Sequence, residues 1–124
     1  MKKTILIIED TPLQAQLVKE VLEKDGYFTK TALSGQEGLA KASEMVPDLI
    51  LLDLVMPDIN GFEICEKLRK QKKLKDTIIV FLSIRGNDKD FERALEAGAD
   101  DYIIKPPMPE ILSKKVNLYF GGKE

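Results

Sequence analysis

Leu49-Ile50-Leu51-Leu52-Asp53-Leu54-Val55-Met56 is an apolar run broken by a single carboxylate. Leu49–Leu52 reads as a strand buried on both faces, the kind found in parallel sheets covered on both sides. Asp53 stands where that strand stops. The same grammar recurs along the chain. Thr4–Ile8 ends in Glu9-Asp10, Thr77–Leu82 ends in Ser83, and Asp101–Ile104 ends in Lys105. A weaker run, Tyr27–Thr31, supplies one more strand.

Helix signals fill the gaps. Thr11-Pro12-Leu13-Gln14 reads as a capping box with proline at the first helical position. Leu17, Val18, Val21 and Leu22 then form an apolar face, and Gly26 closes the helix. Ser34-Gly35-Gln36-Glu37 is a second capping box, ahead of Leu39 and Ala42. Phe62, Cys65 and Leu68 mark a third helix. Asn87 caps a fourth, with Phe91, Ala94 and Leu95 inward and Gly98 as its stop. Leu112, Val116 and Tyr119 mark a fifth. Five strand–helix units in succession predict a doubly wound α/β fold in one domain, residues 1–124. Two strand orders are common in such folds. Both place ligands at the carboxyl ends of the strands, near the switch point.

Composition narrows the chemistry. The 124 residues include no histidine and one cysteine, Cys65. Histidine triads, histidine metal sites, phosphohistidine carriage, internal disulfides and cysteine-rich zinc sites are thereby excluded within this chain. The formal net charge of −2 argues against a broad nucleic-acid surface. No run approaches the roughly 20 apolar residues of a membrane helix, and no signal peptide is visible. The expected location is the cytoplasm.

In a parallel sheet the strand ends share one edge, so three carboxylates, a hydroxyl and an ammonium converge there. Packed carboxylates repel one another, and a divalent cation relieves the repulsion. All-oxygen ligation suits magnesium. Metal and lysine together favour phosphoryl transfer. A carboxylate is itself a competent nucleophile that forms an aspartyl-phosphate without a general base. Each residue alone has a plainer role: Glu9-Asp10 as the acidic entry to a helix, Ser83 as a turn hydroxyl, Lys105 as a solvated charge. Four strand ends out of five with complementary groups weigh against coincidence.

With these residues in view, the sequence resembles a receiver domain of two-component signalling, similar to the chemotaxis-type response regulators. The resemblance rests on Glu9-Asp10, Asp53-Leu54-Val55-Met56-Pro57-Asp58-Ile59-Asn60-Gly61, Ser83, Gly98-Ala99-Asp100-Asp101-Tyr102 and Lys105-Pro106. It implies a flavodoxin-like five-stranded parallel sheet in the order 2-1-3-4-5, flanked by five helices. It implies that Asp53 accepts phosphate from a phosphohistidine. Asp10, Asp53 and the Val55 backbone carbonyl would ligate magnesium, with Glu9 as an outer ligand. Lys105 would contact the phosphoryl group. Ser83 would move toward it, and Tyr102 would be the switch aromatic that turns inward. The Lys105-Pro106 bond is often cis in this family. Ile84, bulky where the family is usually small, is expected to narrow access to the site. Val55 and Arg85 occupy positions that tune phosphate lifetime. Val55 cannot orient a water by hydrogen bonding and Arg85 can cover the phosphoryl group, so slow autodephosphorylation is expected.

The resemblance also implies partners. They are a histidine kinase or His-containing phosphotransfer protein, met by Pro12, Leu13 and Gln16, and a downstream protein met by the fourth helix, fifth strand and fifth helix. No nucleic acid or membrane contact is expected, and the chain would be a monomer or a phosphorylation-dependent dimer. Its chemistry would be self-directed rather than enzymatic. The basic run Lys67–Lys75 reads either as a solvated helix end or as a dock for an acidic partner. A haloacid-dehalogenase-type phosphatase would need an Asp where Val55 stands. A flavin carrier would need a Ser/Thr/Gly-rich loop where Glu9-Asp10-Thr11-Pro12 stands.

Overall fold

The computed structural model describes residues 2–105 and 107–121. Five parallel strands alternate with five helices. They are β1 (Thr4–Ile8), α1 (Pro12–Lys24), β2 (Phe28–Ala32), α2 (Gly35–Met45), β3 (Leu49–Leu52), α3 (Gly61–Arg69), β4 (Ile78–Ser83), α4 (Asp88–Glu96), β5 (Asp101–Ile104) and α5 (Pro109–Tyr119). A short 3-10 turn, Lys72–Leu74, follows α3. The strand order is β2-β1-β3-β4-β5. Of the two common orders, this one has its switch point between β1 and β3, where the chain reverses direction across the sheet.

The pleat divides the core into two layers. Leu6, Ile8, Ile50, Leu52, Ile79 and Phe81 face the layer that holds Phe62, Ile64, Cys65 and Leu68 of α3. Ile5, Ile7, Leu49, Leu51, Val80 and Leu82 face Val18 and Leu22 of α1 and Leu112 and Val116 of α5. Strands buried on both faces explain why the sequence shows apolar runs rather than alternation.

Three local expectations are corrected. The capping box at Thr11 does not form: the Thr11 side chain makes no capping bond, and its backbone N–H donates to Glu9 Oε2 at 3.2 Å. Gln14 is drawn instead to Lys105. Leu17 is exposed and Ala15 takes a buried place beside Val18 and Leu22. Leu95 is likewise exposed, because α4 buries only Asp90 and Ala94. Other signals hold. Ser34 and Asn87 cap α2 and α4 through the N–H groups of Glu37 and Asp90. Gly98, at φ +105°, ends the α4 segment in a conformation that disfavours side chains with a Cβ. The strands at Tyr27–Thr31 and Thr77–Leu82 each begin and end one residue later than the sequence indicates.

Candidate functional site

The sheet ladder runs one residue past the strands and sets the site residues in place. Glu9 N–H donates to Ala32 O at 2.9 Å, Asp53 N–H to Ile8 O at 3.0 Å, and Lys105 N–H to Ser83 O at 2.8 Å. Residues from four separated segments thus reach one edge with fixed backbones. Carboxylate oxygens of Glu9, Asp10 and Asp53 all lie within 4.8 Å of one another. Glu9 and Asp53 are buried, and Asp10 stands nearer solvent.

Lys105 is the counter-charge. Its ammonium pairs with Glu9 Oε1, lies 3.3 Å from Asp53 Oδ2, and donates to Gln14 Oε1 at 2.7 Å. Its side chain is 9% exposed, so these bonds are poorly screened. The cluster is still over-supplied with negative charge. Asp10 shows this: its carboxyl is pushed above the ordinary aspartate value, first by burial and then by the Glu9 carboxylate, with Lys105 opposing. Three close hard-oxygen ligands with that imbalance fit a small divalent cation.

The segment after β3 closes on itself and holds Asp53 in register. Gly61 N–H donates to Leu54 O at 2.9 Å. A Cβ at Gly61 would stand 2.7 Å from the Leu54 backbone, so only glycine permits the closure. Leu54 and Met56 are buried as anchors, while the Val55 side chain is exposed. Val55 N–H donates to Asp53 Oδ1 at 3.2 Å and orients the carboxylate. Asp58 reaches across to the first turn of α2, accepting from Gly35 N–H at 2.9 Å and Gln36 N–H at 3.0 Å. Those two backbone bonds hold its carboxyl below the ordinary value.

On the β4 side, Ser83 is fully buried and its Oγ accepts from Arg85 N–H at 3.2 Å. Tyr102 is half-buried. Its ring meets Phe91 edge-on at 4.8 Å and Phe81 at 5.8 Å, and its hydroxyl donates to Arg85 O. Burial chiefly raises the Tyr102 phenol above its ordinary value. Arg85 reaches Asp90 Oδ1 at 3.0 Å. Ile84 is 75% exposed and lines a groove beside the acidic cluster. The groove, about 940 Å³, runs between α1 and α5 past Leu13, Leu17, Pro107 and Pro109, and Gln14 and Lys105 border it. Pro106, and with it the expected cis bond, lies outside the described residues.

The structure brings Glu9, Asp10, Asp53 and Lys105 together, with Val55 bound to Asp53, and sets Ser83, Arg85 and Tyr102 in a connected chain. Sequence reasoning missed Gln14, Asp58, Asp90 and Arg69. Arg69 sits in the basic run, yet it donates to Gly98 O at 2.7 Å, Leu74 O at 3.1 Å, Thr77 O at 2.7 Å and Asp100 Oδ2 at 2.8 Å. It is a staple between α3 and the start of β4. Only the acidic pair Asp100-Asp101 where β5 begins hinted at such a partner.

A family model described as the response regulator receiver domain matches residues 5–117. The alkaline phosphatase synthesis transcriptional regulatory protein PhoP of Bacillus subtilis (strain 168) is 38% identical over 126 residues, covering 100% of this chain and 51% of its own. The DNA-binding dual master transcriptional regulator RpaA of Synechocystis sp. is 40% identical over 102 residues, covering 82% of this chain and 42% of its own. The chain spans about half the length of these curated relatives. Among solved structures, the chemotaxis protein CheY4 of Vibrio cholerae superposes with a TM-score of 0.91 at 31% identity, covering 95% of this chain and 98% of that one.

Proposed function

The chain belongs to the response regulator receiver domains, the phosphoacceptor modules of two-component signalling, and from that premise we propose that Asp53 is the acceptor. The observation that carries the assignment is the placing of Asp53 Oδ2 3.3 Å from the Lys105 ammonium, inside a cluster whose carboxylate oxygens lie within 4.8 Å. The donor is a phosphohistidine on a histidine kinase or phosphotransfer protein, since this chain has no histidine of its own. An Asp53 oxygen bonds to phosphorus while the phosphorus–nitrogen bond breaks, and the imidazole leaves with the electron pair. Val55 N–H holds the attacking carboxylate. Lys105 stabilises charge on the transferring group. Glu9, Asp10, Asp53 and the Val55 carbonyl are the residues that would hold magnesium, which when bound supplies further charge neutralisation.

Ser83 and Tyr102 form the switch, joined through Arg85 in the chain of bonds already described. Val55 gives a hydrolytic water no hydrogen-bonding side chain, and Arg85 can cover the phosphoryl group, so autodephosphorylation is slow. The chemistry is self-directed. The α1–α5 groove, with exposed Leu13 and Leu17, supports docking of the phosphodonor beside Lys105. Exposed Leu95, Ile104, Ile111 and Leu118 support an output surface on α4, β5 and α5, used by a target protein or a second phosphorylated copy. No helix among the described residues is long and apolar enough to cross a membrane. A cytoplasmic location goes with the proposal, as does the expectation that this domain itself touches no nucleic acid. The DNA-binding role of RpaA belongs to a protein about twice as long.

Incubation with magnesium and acetyl phosphate tests the assignment. The expected result is a mass gain of one phosphoryl group, absent in Asp53→Asn. No gain, or a gain retained by Asp53→Asn, would refute it.

A further inference from the structure

Arg85 bonds to both switch residues, Ser83 and Tyr102, and to Asp90 as well. Its N–H donates to Ser83 Oγ, its carbonyl accepts from Tyr102, and its guanidinium pairs with Asp90 at 3.0 Å. Asp90 is unusual as a partner. It is 5% exposed, and its second oxygen, Oδ2, is the one buried side-chain polar atom without a hydrogen bond among the described residues. Buried carboxylates rarely go half-satisfied, so each such case calls for an explanation. The burial is imposed by α4, where Asp90 occupies the first turn and donates its N–H to the Asn87 cap. Among the described residues, Arg85 is therefore the only side chain that hydrogen-bonds this carboxylate.

We propose that Asp90 is a positioning residue that restrains Arg85 and so shortens the life of the phosphoryl group on Asp53. The inference rests on Asp53 being the acceptor and on Arg85 being able to cover it. Arg85 stands two residues past Ser83, at the sheet edge that holds Asp53. A phosphoryl group there offers the guanidinium a bidentate, charge-assisted bond. Taking it would leave Asp90 buried with neither oxygen paired, a state that costs more than an ordinary lost hydrogen bond. Arg85 thus covers the phosphoryl group only part of the time. Hydrolysis proceeds meanwhile: a water oxygen bonds to phosphorus, the bond to Asp53 breaks, and inorganic phosphate and a proton leave. The Arg85 side chain is 54% exposed, which keeps the restraint weak enough to be overcome.

The test measures the lifetime of the acetyl-phosphate-derived phosphoryl group and the affinity for beryllofluoride with magnesium. Asp90→Asn should lengthen the first and tighten the second, each roughly two- to fivefold, the range of a partly exposed ion pair. Asp90→Glu should stay near the unaltered chain. In an Arg85→Ala background, Asp90→Asn should change neither quantity. An equal change in both backgrounds, or no change in either, overturns the proposal. In the unaltered chain, the Arg85 guanidinium N–H resonance should shift on adding beryllofluoride; a resonance that stays put also overturns it, whether or not the variants fold. Failure of the underlying assignment is distinguishable, since the unaltered chain would then take up neither phosphoryl group nor beryllofluoride, and the inference would fall with it.

Discussion

Replacing Asp53 by Asn should make the metal-free domain more stable, although it abolishes the proposed acceptor. The change keeps the shape and the acceptor oxygen for Val55 N–H and removes one charge. In the cluster, that charge faces two others within 4.8 Å. At an effective dielectric of about 20, each repulsion is worth at least ~3.5 kcal/mol. The opposing attraction to Lys105 at 3.3 Å is worth ~5 kcal/mol on the same scale. The two repulsions outweigh it by about 2 kcal/mol. With an unfolding entropy of ~2.1 cal/mol/K per residue, a chain of 124 residues converts this into a Tm rise of roughly 8 °C. Magnesium should nearly close the gap. At about twenty times its dissociation constant it would stabilise the unaltered chain by about 1.8 kcal/mol, and the variant by much less. Circular dichroism melts in chelator and in magnesium measure both effects. An Asp53→Asn chain that melts no higher than the unaltered one in chelator would refute the repulsion. Equal stabilisation of both by magnesium would refute the metal site.

Three further outcomes are expected. Arg69→Ala removes four bonds that tie α3 to Leu74, Thr77, Gly98 and Asp100. It should cost roughly 3 kcal/mol and lower Tm by roughly 12 °C, while acetyl phosphate still modifies Asp53 below the transition. Gln14→Ala should leave Tm nearly unchanged but slow the initial rate of that modification up to about fivefold, the worth of one hydrogen bond of ~1 kcal/mol to Lys105; an unchanged rate makes Gln14 a bystander. For pH, the Asp58 carboxyl is lowered in the folded chain, so its contribution is present above the ordinary carboxylate value and is lost as pH falls through the folded one. Asp10 is raised, so its ionisation opposes folding at neutral pH. The gain in urea midpoint from Asp10→Asn in chelator should therefore shrink between pH 7 and pH 4, and a gain that grows instead would contradict the sign.

Much of the architecture was legible because burial on both faces leaves an unmistakable mark. Leu49–Leu52 has no polar residue to hide, and its end at Asp53 announces the functional edge. Glu9, Asp10, Ser83 and Lys105 were legible for the same reason, as polar groups stopping apolar runs. Gln14, Asp58 and Arg69 were not, because their partners lie far away in sequence: Lys105, the α2 N-terminus and Gly98. Nothing local in Lys67–Lys75 separates the one guanidinium that takes three backbone carbonyls from the solvated lysines around it. The capping box at Thr11 was misread in an instructive way. Its residues have the right types, but Glu9 and Lys105 compete for the same groups and win, since the acidic cluster needs every cation and donor within reach.

The misread helix positions make a further point. Leu17 and Leu95 fit the inward stripe by spacing, yet both point to solvent. A helix packed on a sheet buries a narrower arc than the apolar pattern of α1 or α4 offers. The surplus on α1 and the Ile84 loop joins the groove next to Lys105. The surplus on α4 lies with exposed Ile104 and Leu118 on the other flank of the switch. Apolar surface retained at those places is a cost in solubility that folding does not require. That surplus adjoins the acidic cluster on one side and the Ser83–Arg85–Tyr102 chain on the other, which is where the proposed docking surfaces lie. Local rules fail there, at the flanks of the site, where departures from them are expected for surfaces that serve function.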